Sequence, residues 1–307
     1  MLRAMDSAVA GLRAHQNKLD VIGNNIANVN TFGFKSQSYS FKEAMYQTST
    51  TSTKGTDAAG GVNAAQYGYG TMMGSIATDM SSSTPTYVGG LNASINGEGF
   101  FITYPTNDKT VAVGDMKKTD FDYTRVGQFN IDGNGYLVDS NGNFVYGFRP
   151  DAVDKPTKFD GDLVPIKAPS TVTGDGGFGN AGLQLKDVKL NNLGEITGTV
   201  VSDDQALNGK TVSLGKVAIA TFQNPQGLSK KGGFYYGASE SDNSGASSAT
   251  IPGGSTSSLM TGYLEASNVD LSKEFAEMIT TQRGFQANSK IITVSDEILA
   301  DLINMKR

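Results

Sequence analysis

Residues 268–302 read NVDLSKEFAEMITTQRGFQANSKIITVSDEILADL, and counting by sevens gives Leu271, Met278, Phe285, Ile292 and Leu299. Seven residues make nearly two helical turns, so such a column marks a long amphipathic helix of coiled-coil type. A second set, Phe275, Ile279, Ile291, Ser295, Ile298 and Leu302, broadens the column into one apolar face, with Lys273, Glu274, Glu277, Arg283, Lys290 and Glu297 mostly outside it. Ser267, Asn268 and Asp270 are all good N-cap residues, and Lys306 and Arg307 place positive charge past the far end, where the helix dipole favours it.

The other terminus answers this one. Met5, Leu12, Leu19 and Ile26 form a heptad column, and Ala8, His15, Ile22 and Val29 lie three residues further round. Two seven-residue repeats at opposite ends predict terminal helices that pair and leave the middle to build something else. The first helix runs into Gly23-Asn24-Asn25-Ile26-Ala27-Asn28-Val29-Asn30-Thr31-Phe32-Gly33-Phe34-Lys35. Asparagine terminates helices well, so a helix end with a turn at Gly33 is expected. Asn24 and Asn25 can also bond across a helix seam and fix its register.

Residues 46–62 are rich in Thr, Ser, Gly and Ala without an apolar period, which predicts an extended or disordered stretch. From about residue 71 the pattern turns to β. Phe100-Phe101-Ile102 follows two glycines, while residues 121–125 and 128–131 alternate. Asp132-Gly133-Asn134-Gly135 and Asp139-Ser140-Asn141-Gly142 turn the chain into Tyr136-Leu137-Val138 and Phe144-Val145-Tyr146, a meander of short antiparallel strands. Weaker strands are expected near 163–166, 183–190 and 195–201 and a stronger one over 212–222, with residues 239–258 as a surface loop. The fold class is therefore α+β. Residues 1–30 and 268–307 form a discontinuous helical core, 31–70 a linker, and 71–267 a mainly antiparallel β domain, with room for only a small inserted β subdomain at about 150–210.

Composition excludes most chemistry. The 307 residues include no cysteine and one histidine, which rules out disulfides, thiolate metal sites and cysteine nucleophiles. His15 sits on the helical seam, so no Ser/His/Asp set can form without it, and no glycine-rich loop carries a phosphate-binding Lys-Ser/Thr. An EF-hand loop counted from Asp139 would need glycine where Phe144 stands and an acid where Pro150 stands. Charge is sparse at 18%, with a net value of -5 and no basic cluster, which argues against a nucleic-acid partner. No run of eighteen apolar residues exists to insert in a membrane. Arg3 and Asp6 make the N-terminus a poor secretory signal, so export without a cleaved signal peptide is expected. No catalytic residue, cofactor or metal is expected.

Residues 19–34 resemble the N-terminal signature of bacterial flagellar rod and hook proteins. Gly262-Tyr263-Leu264-Glu265-Ala266-Ser267-Asn268-Val269-Asp270, followed by Thr281-Gln282-Arg283, resembles their C-terminal one, and Ile95-Asn96-Gly97-Glu98-Gly99-Phe100-Phe101 matches part of the middle. The ending from Gly284 through Lys290, with Asp296-Glu297-Ile298-Leu299 and Asn304-Met305-Lys306-Arg307, is more similar to hook proteins than to rods, as is the run Ser36 to Met45. The resemblance implies a non-enzymatic hook subunit that polymerises through its terminal helices into a flexible tube coupling motor rotation to the filament. Its implied partners are copies of itself, the distal rod, hook cap and hook-filament junction proteins, and the flagellar type III export apparatus. The implied location is the extracellular hook of the flagellar basal body, with the termini gaining order on assembly. The alternatives are a distal rod protein and, from another class, an adhesin-type surface protein or a secreted glycosidase-like β protein. The assembly seam would be Met5, Leu12, Leu19, Ile26, Leu271, Met278, Phe285, Ile292 and Leu299. Phe41 and Met45 resemble the element read at the export gate; without the resemblance they read as one helical turn with an i,i+4 contact.

Overall fold

The computed structural model describes residues 2–55, 60–108, 110–152, 158–159, 161–169, 184–201, 208–253 and 257–305. Lys306 and Arg307, singled out above, and the first residue of the strand expected at 183–190 lie outside them. The chain divides into two units: Met1–Val29, Ser36–Asp79 and Val269–Arg307 in one, Asn30–Lys35 and Met80–Asn268 in the other.

The first unit contains the terminal helices, α1 (Leu2–Ala27) and α2 (Leu271–Met305), with four strands: β1 (Gln37–Glu43), β2 (Tyr46–Thr50), β3 (Ala65–Gly68) and β4 (Thr71–Thr78). Asp270 caps α2: its Oδ1 accepts from Ser272 N at 2.9 Å and Lys273 N at 3.3 Å. At the end of α1, Asn28 folds back and donates Nδ2 to Asn24 O at 2.9 Å. β1 pairs antiparallel with β4, with a register shift between Tyr39 and Phe41, and β2 pairs with β3. The stretch expected as a linker thus contains three strands, and residues 36–79 belong to the helical unit. Of the extended or disordered alternatives expected for 46–62, residues 46–50 take the extended one: ladder bonds satisfy the backbone, and Tyr and Thr suit a pleated surface. Strand geometry also replaces the helical turn read at Phe41 and Met45.

The second unit is β. One sheet runs, in spatial order, Leu185–Leu190, Glu195–Val200, Thr211–Val217, Phe144–Phe148, Phe100–Tyr104, Asp122–Thr124, Tyr235–Gly237 and Ser229–Gly232, with every pairing antiparallel. Phe100–Tyr104 lies inside it and buries both faces. Phe100 and Ile102 enter one core with Tyr123, Tyr146 and Phe222, while Phe101 enters another with Phe129, Val145 and Ile219. Successive side chains point to opposite faces, so a strand covered on both sides reads as a continuous apolar run. Of the described strands of the 150–210 stretch, Leu185–Leu190 and Glu195–Val200 extend this same sheet through Thr211–Val217, and Val164–Pro165 pairs with Phe144–Phe148.

Two expectations need correcting. Residues 212–222 do not form one strand: the strand is interrupted at Ala218, and Ile219–Phe222 pairs with Phe100–Tyr104 on one side and Ser247–Thr250 on the other. That second partner lies in the serine-rich stretch read as loop. Its neighbour supplies the ladder and Ala249 fills the core face, so local propensity is overridden. The predicted Asp/Asn turns are present. Asp132 Oδ1 accepts from Asn134 N at 3.0 Å and Tyr136 N at 2.7 Å, and Asp139 Oδ1 accepts from Asn141 N and Asn143 N, both at 2.9 Å.

Candidate assembly interface

The terminal helices pack antiparallel within their unit: Gly11 faces Asn288, His15 faces Gly284, and Lys18 Nζ lies 3.1 Å from Glu277 Oε2. The contact is built on two reciprocal sockets. A Cβ on Gly11 would come within 2.7 Å of Asn288 Nδ2, and one on Gly284 within 2.7 Å of His15 Cε1. Each helix therefore offers a glycine over which the other lays a polar side chain. Isolated glycines weaken a helix, so their presence inside both repeats was a readable mark of close approach, one that hydrophobic periodicity passes over.

Asn25 closes the end of the pair. It is 1% exposed, donates Nδ2 to Gln37 O at 2.8 Å and Glu274 Oε1 at 3.0 Å, and accepts at Oδ1 from Gln37 N at 3.0 Å. The register role open to Asn24 and Asn25 falls to Asn25; Asn24 bonds its own helix through Asn28.

The inner line of α2 steps by seven as Glu274, Thr281, Asn288 and Ser295, beside the predicted column. Thr281 and Ser295 are buried, and their hydroxyls donate to Glu277 O at 2.6 Å and Ile291 O at 2.8 Å. Of the predicted seam residues, Met278, Ile292 and Leu299 are half-buried, whereas Leu271 and Phe285 are exposed. On α1, Met5, Leu12, Leu19 and Ile26 are half-buried, while Ala8, Ala14, Val21 and Ile22 are buried. Small and polar residues line the contact between the helices, and larger apolar ones lie to its sides.

The single apolar face expected on α2 becomes two. Leu271, Phe275 and Ile279 lie on one flank of its first turns, and Ile291, Val294, Ile298 and Leu302 on the other flank of its last turns, all exposed. At about 100° per residue the two patches are centred roughly 145° apart. With Phe285, Ile303 and Met305, ten large apolar side chains on this helix are exposed.

Burial and the charge of Lys18 hold His15 below the ordinary imidazole range; its ring contacts Phe41 with centroids 5.3 Å apart, and its buried Nδ1 has no partner. Burial pushes the Glu274 carboxyl up, with Asn25 opposing and Glu277 adding to the shift. Phe41 lies on β1, 5.1 Å from the Tyr39 ring, and Met45 is exposed just beyond that strand. Among the described residues no group of three or more His, Cys, Asp or Glu is placed to hold a metal ion. Neither helix is long and apolar enough to cross a membrane.

Three family models match the chain: flagella basal body rod protein over residues 5–35, the flagellar hook protein FlgE/F/G D1 domain over 94–198, and the flagellar basal body rod FlgEFG protein C-terminal region over 260–305. The flagellar basal-body rod protein FlgG of Bacillus subtilis is 39% identical over 310 residues, covering all of both chains. FlgG of Borreliella burgdorferi is 32% identical, also over the whole of both. The flagellar hook protein FlgE of the same organism is 26% identical, over a 455-residue alignment longer than this chain. The expectation of a hook subunit is thereby corrected toward the rod: the family model over the C-terminal end covers FlgE, FlgF and FlgG alike, whereas length and identity throughout favour FlgG. Aligned from end to end with such relatives, the chain belongs to the flagellar rod and hook protein family.

Proposed function

We propose that the chain is a structural subunit of the flagellar rod, in its distal part, polymerising through its terminal helices into a tube. The observation that carries this reading is the pair of exposed apolar patches on opposite flanks of α2. An open helical polymer of identical copies needs two different surfaces that meet, not one surface that meets itself. Patches on two flanks supply that, and burial between copies in a coiled-coil manner stabilises both. The seam residues Leu271, Met278, Phe285, Ile292 and Leu299, with Met5, Leu12, Leu19 and Ile26, take part from the sides of the helix pair. The chain has no catalytic role, and its partners are further copies and the export apparatus, which reads Phe41 and Met45. The hook cap and junction proteins followed from the hook reading and are not carried over.

Electron microscopy of cells lacking the gene tests the assignment. Truncated rods are expected; complete rods without hooks would restore the hook reading. Purified protein should also sediment as tubes above a critical concentration, and a monomer at all concentrations would refute polymerisation.

A further inference from the structure

The chain enters or leaves the second unit at residues 30, 35, 80 and 268. One carboxylate gathers the segments that begin or end there. Glu265 Oε1 accepts from Lys35 Nζ at 2.7 Å and Ser83 N at 2.9 Å, and the Glu265 backbone O accepts from Gly33 N at 2.8 Å. Lys35 Nζ also donates to Ser81 O at 2.6 Å, and Ser83 Oγ to Ser267 O at 3.0 Å. Arg125 joins this knot to the sheet: Nε donates to Glu265 Oε2 at 2.7 Å, and Nη1 to Gly97 O at 2.9 Å and Gly99 O at 2.6 Å. Lys35, Glu265 and Arg125 are 1%, 1% and 3% exposed. Each of the three matched family segments contributes one of these charges.

A buried ion pair contributes little stability over an apolar replacement, so a triad buried at this position is better explained by what it fixes than by what it adds. We propose that Glu265 is a clasp, a positioning residue that anchors all the connecting segments to the β domain. Pull arriving along residues 30–35 or 265–268 is taken up by Arg125 and the 97–99 turn rather than peeling the edge strands. Sequence reading named Glu265 only within the C-terminal signature and Lys35 only at the end of the run that follows the first helix. Their chemical role required knowing that residues 230 positions apart meet.

This inference extends the rod reading, in which such pull arises, but its test is independent of assembly. Hydrogen exchange is measured on the unpolymerised full-length chain, with Lys35→Met and Glu265→Gln. In Lys35→Met, which leaves the Arg125–Glu265 pair intact, amides of residues 31–35 and 81–84 are expected to exchange about ten- to a hundredfold faster, as loss of charge-assisted bonds implies. Phe100–Tyr104 should be unchanged. Glu265→Gln should extend the acceleration to 264–267; if that variant does not fold, Lys35→Met decides alone. Unchanged exchange in the segments, or equal acceleration in the Phe100–Tyr104 core of Lys35→Met, overturns the clasp. Failure of the wild-type chain to sediment would refute the rod reading and leave the clasp standing.

Discussion

Phe275→Ala probes the assembly surface without touching the fold. Phe275 keeps 49% of its surface in the isolated chain. A phenylalanine offers about 150–250 Å², so about 80 Å² beyond the Cβ remains for a neighbour. At about 25 cal/mol per Å² its burial between copies is worth about 2 kcal/mol. Truncation should therefore raise the critical concentration for tube formation roughly thirtyfold. Alanine is the stronger helix former, so the helix itself should not suffer. Sedimentation across a concentration series gives the critical concentration, and near-ultraviolet circular dichroism of the β domain is the control. Ile298→Ala, on the opposite flank, should act to a similar degree. A critical concentration within threefold of wild type for both single variants would refute the argument that these flanks meet other copies.

Gly284→Val should disrupt the helix pair, since even a Cβ there falls within 2.7 Å of the His15 ring. Overpacking of this kind costs about 1–3 kcal/mol, read as lost helix in far-ultraviolet circular dichroism with the β domain melting unchanged. His15 predicts a pH dependence. Its folded value lies below the unfolded one, so its contribution is complete above the ordinary imidazole range and fades as pH falls through that range toward the folded value. A helicity titration from about pH 8 to about pH 5 should show this loss, and His15→Gln should abolish it. Phe41→Ala should lower secretion through the flagellar export route if the exposed Phe41 and Met45 are read there; normal secretion leaves Phe41 as packing on His15 and Tyr39. Circular dichroism before and after polymerisation should show a gain in helix if the termini complete their folding on assembly, because a helix with unburied apolar flanks is marginal in water.

Periodicity alone determined the two terminal helices, their pairing and the antiparallel β character of the middle, because each is written locally in steps of seven or two residues. The Asp132 and Asp139 turns were legible for the same reason: the side chain bonds backbone only two and four residues on. Tertiary structure decided what depends on a distant neighbour. Ser247–Thr250 is a strand because Ile219–Phe222 lies beside it, and residues 37–50 are ordered by partners in 65–78. The heptads located the apolar residues of α2 but not their partner: glutamate, threonine, asparagine and serine take the inner line, which leaves Phe275 and Ile298 on separate flanks. The Lys35–Arg125–Glu265 triad was out of reach altogether, since three isolated charges carry no spacing rule and only the closed fold makes their burial affordable.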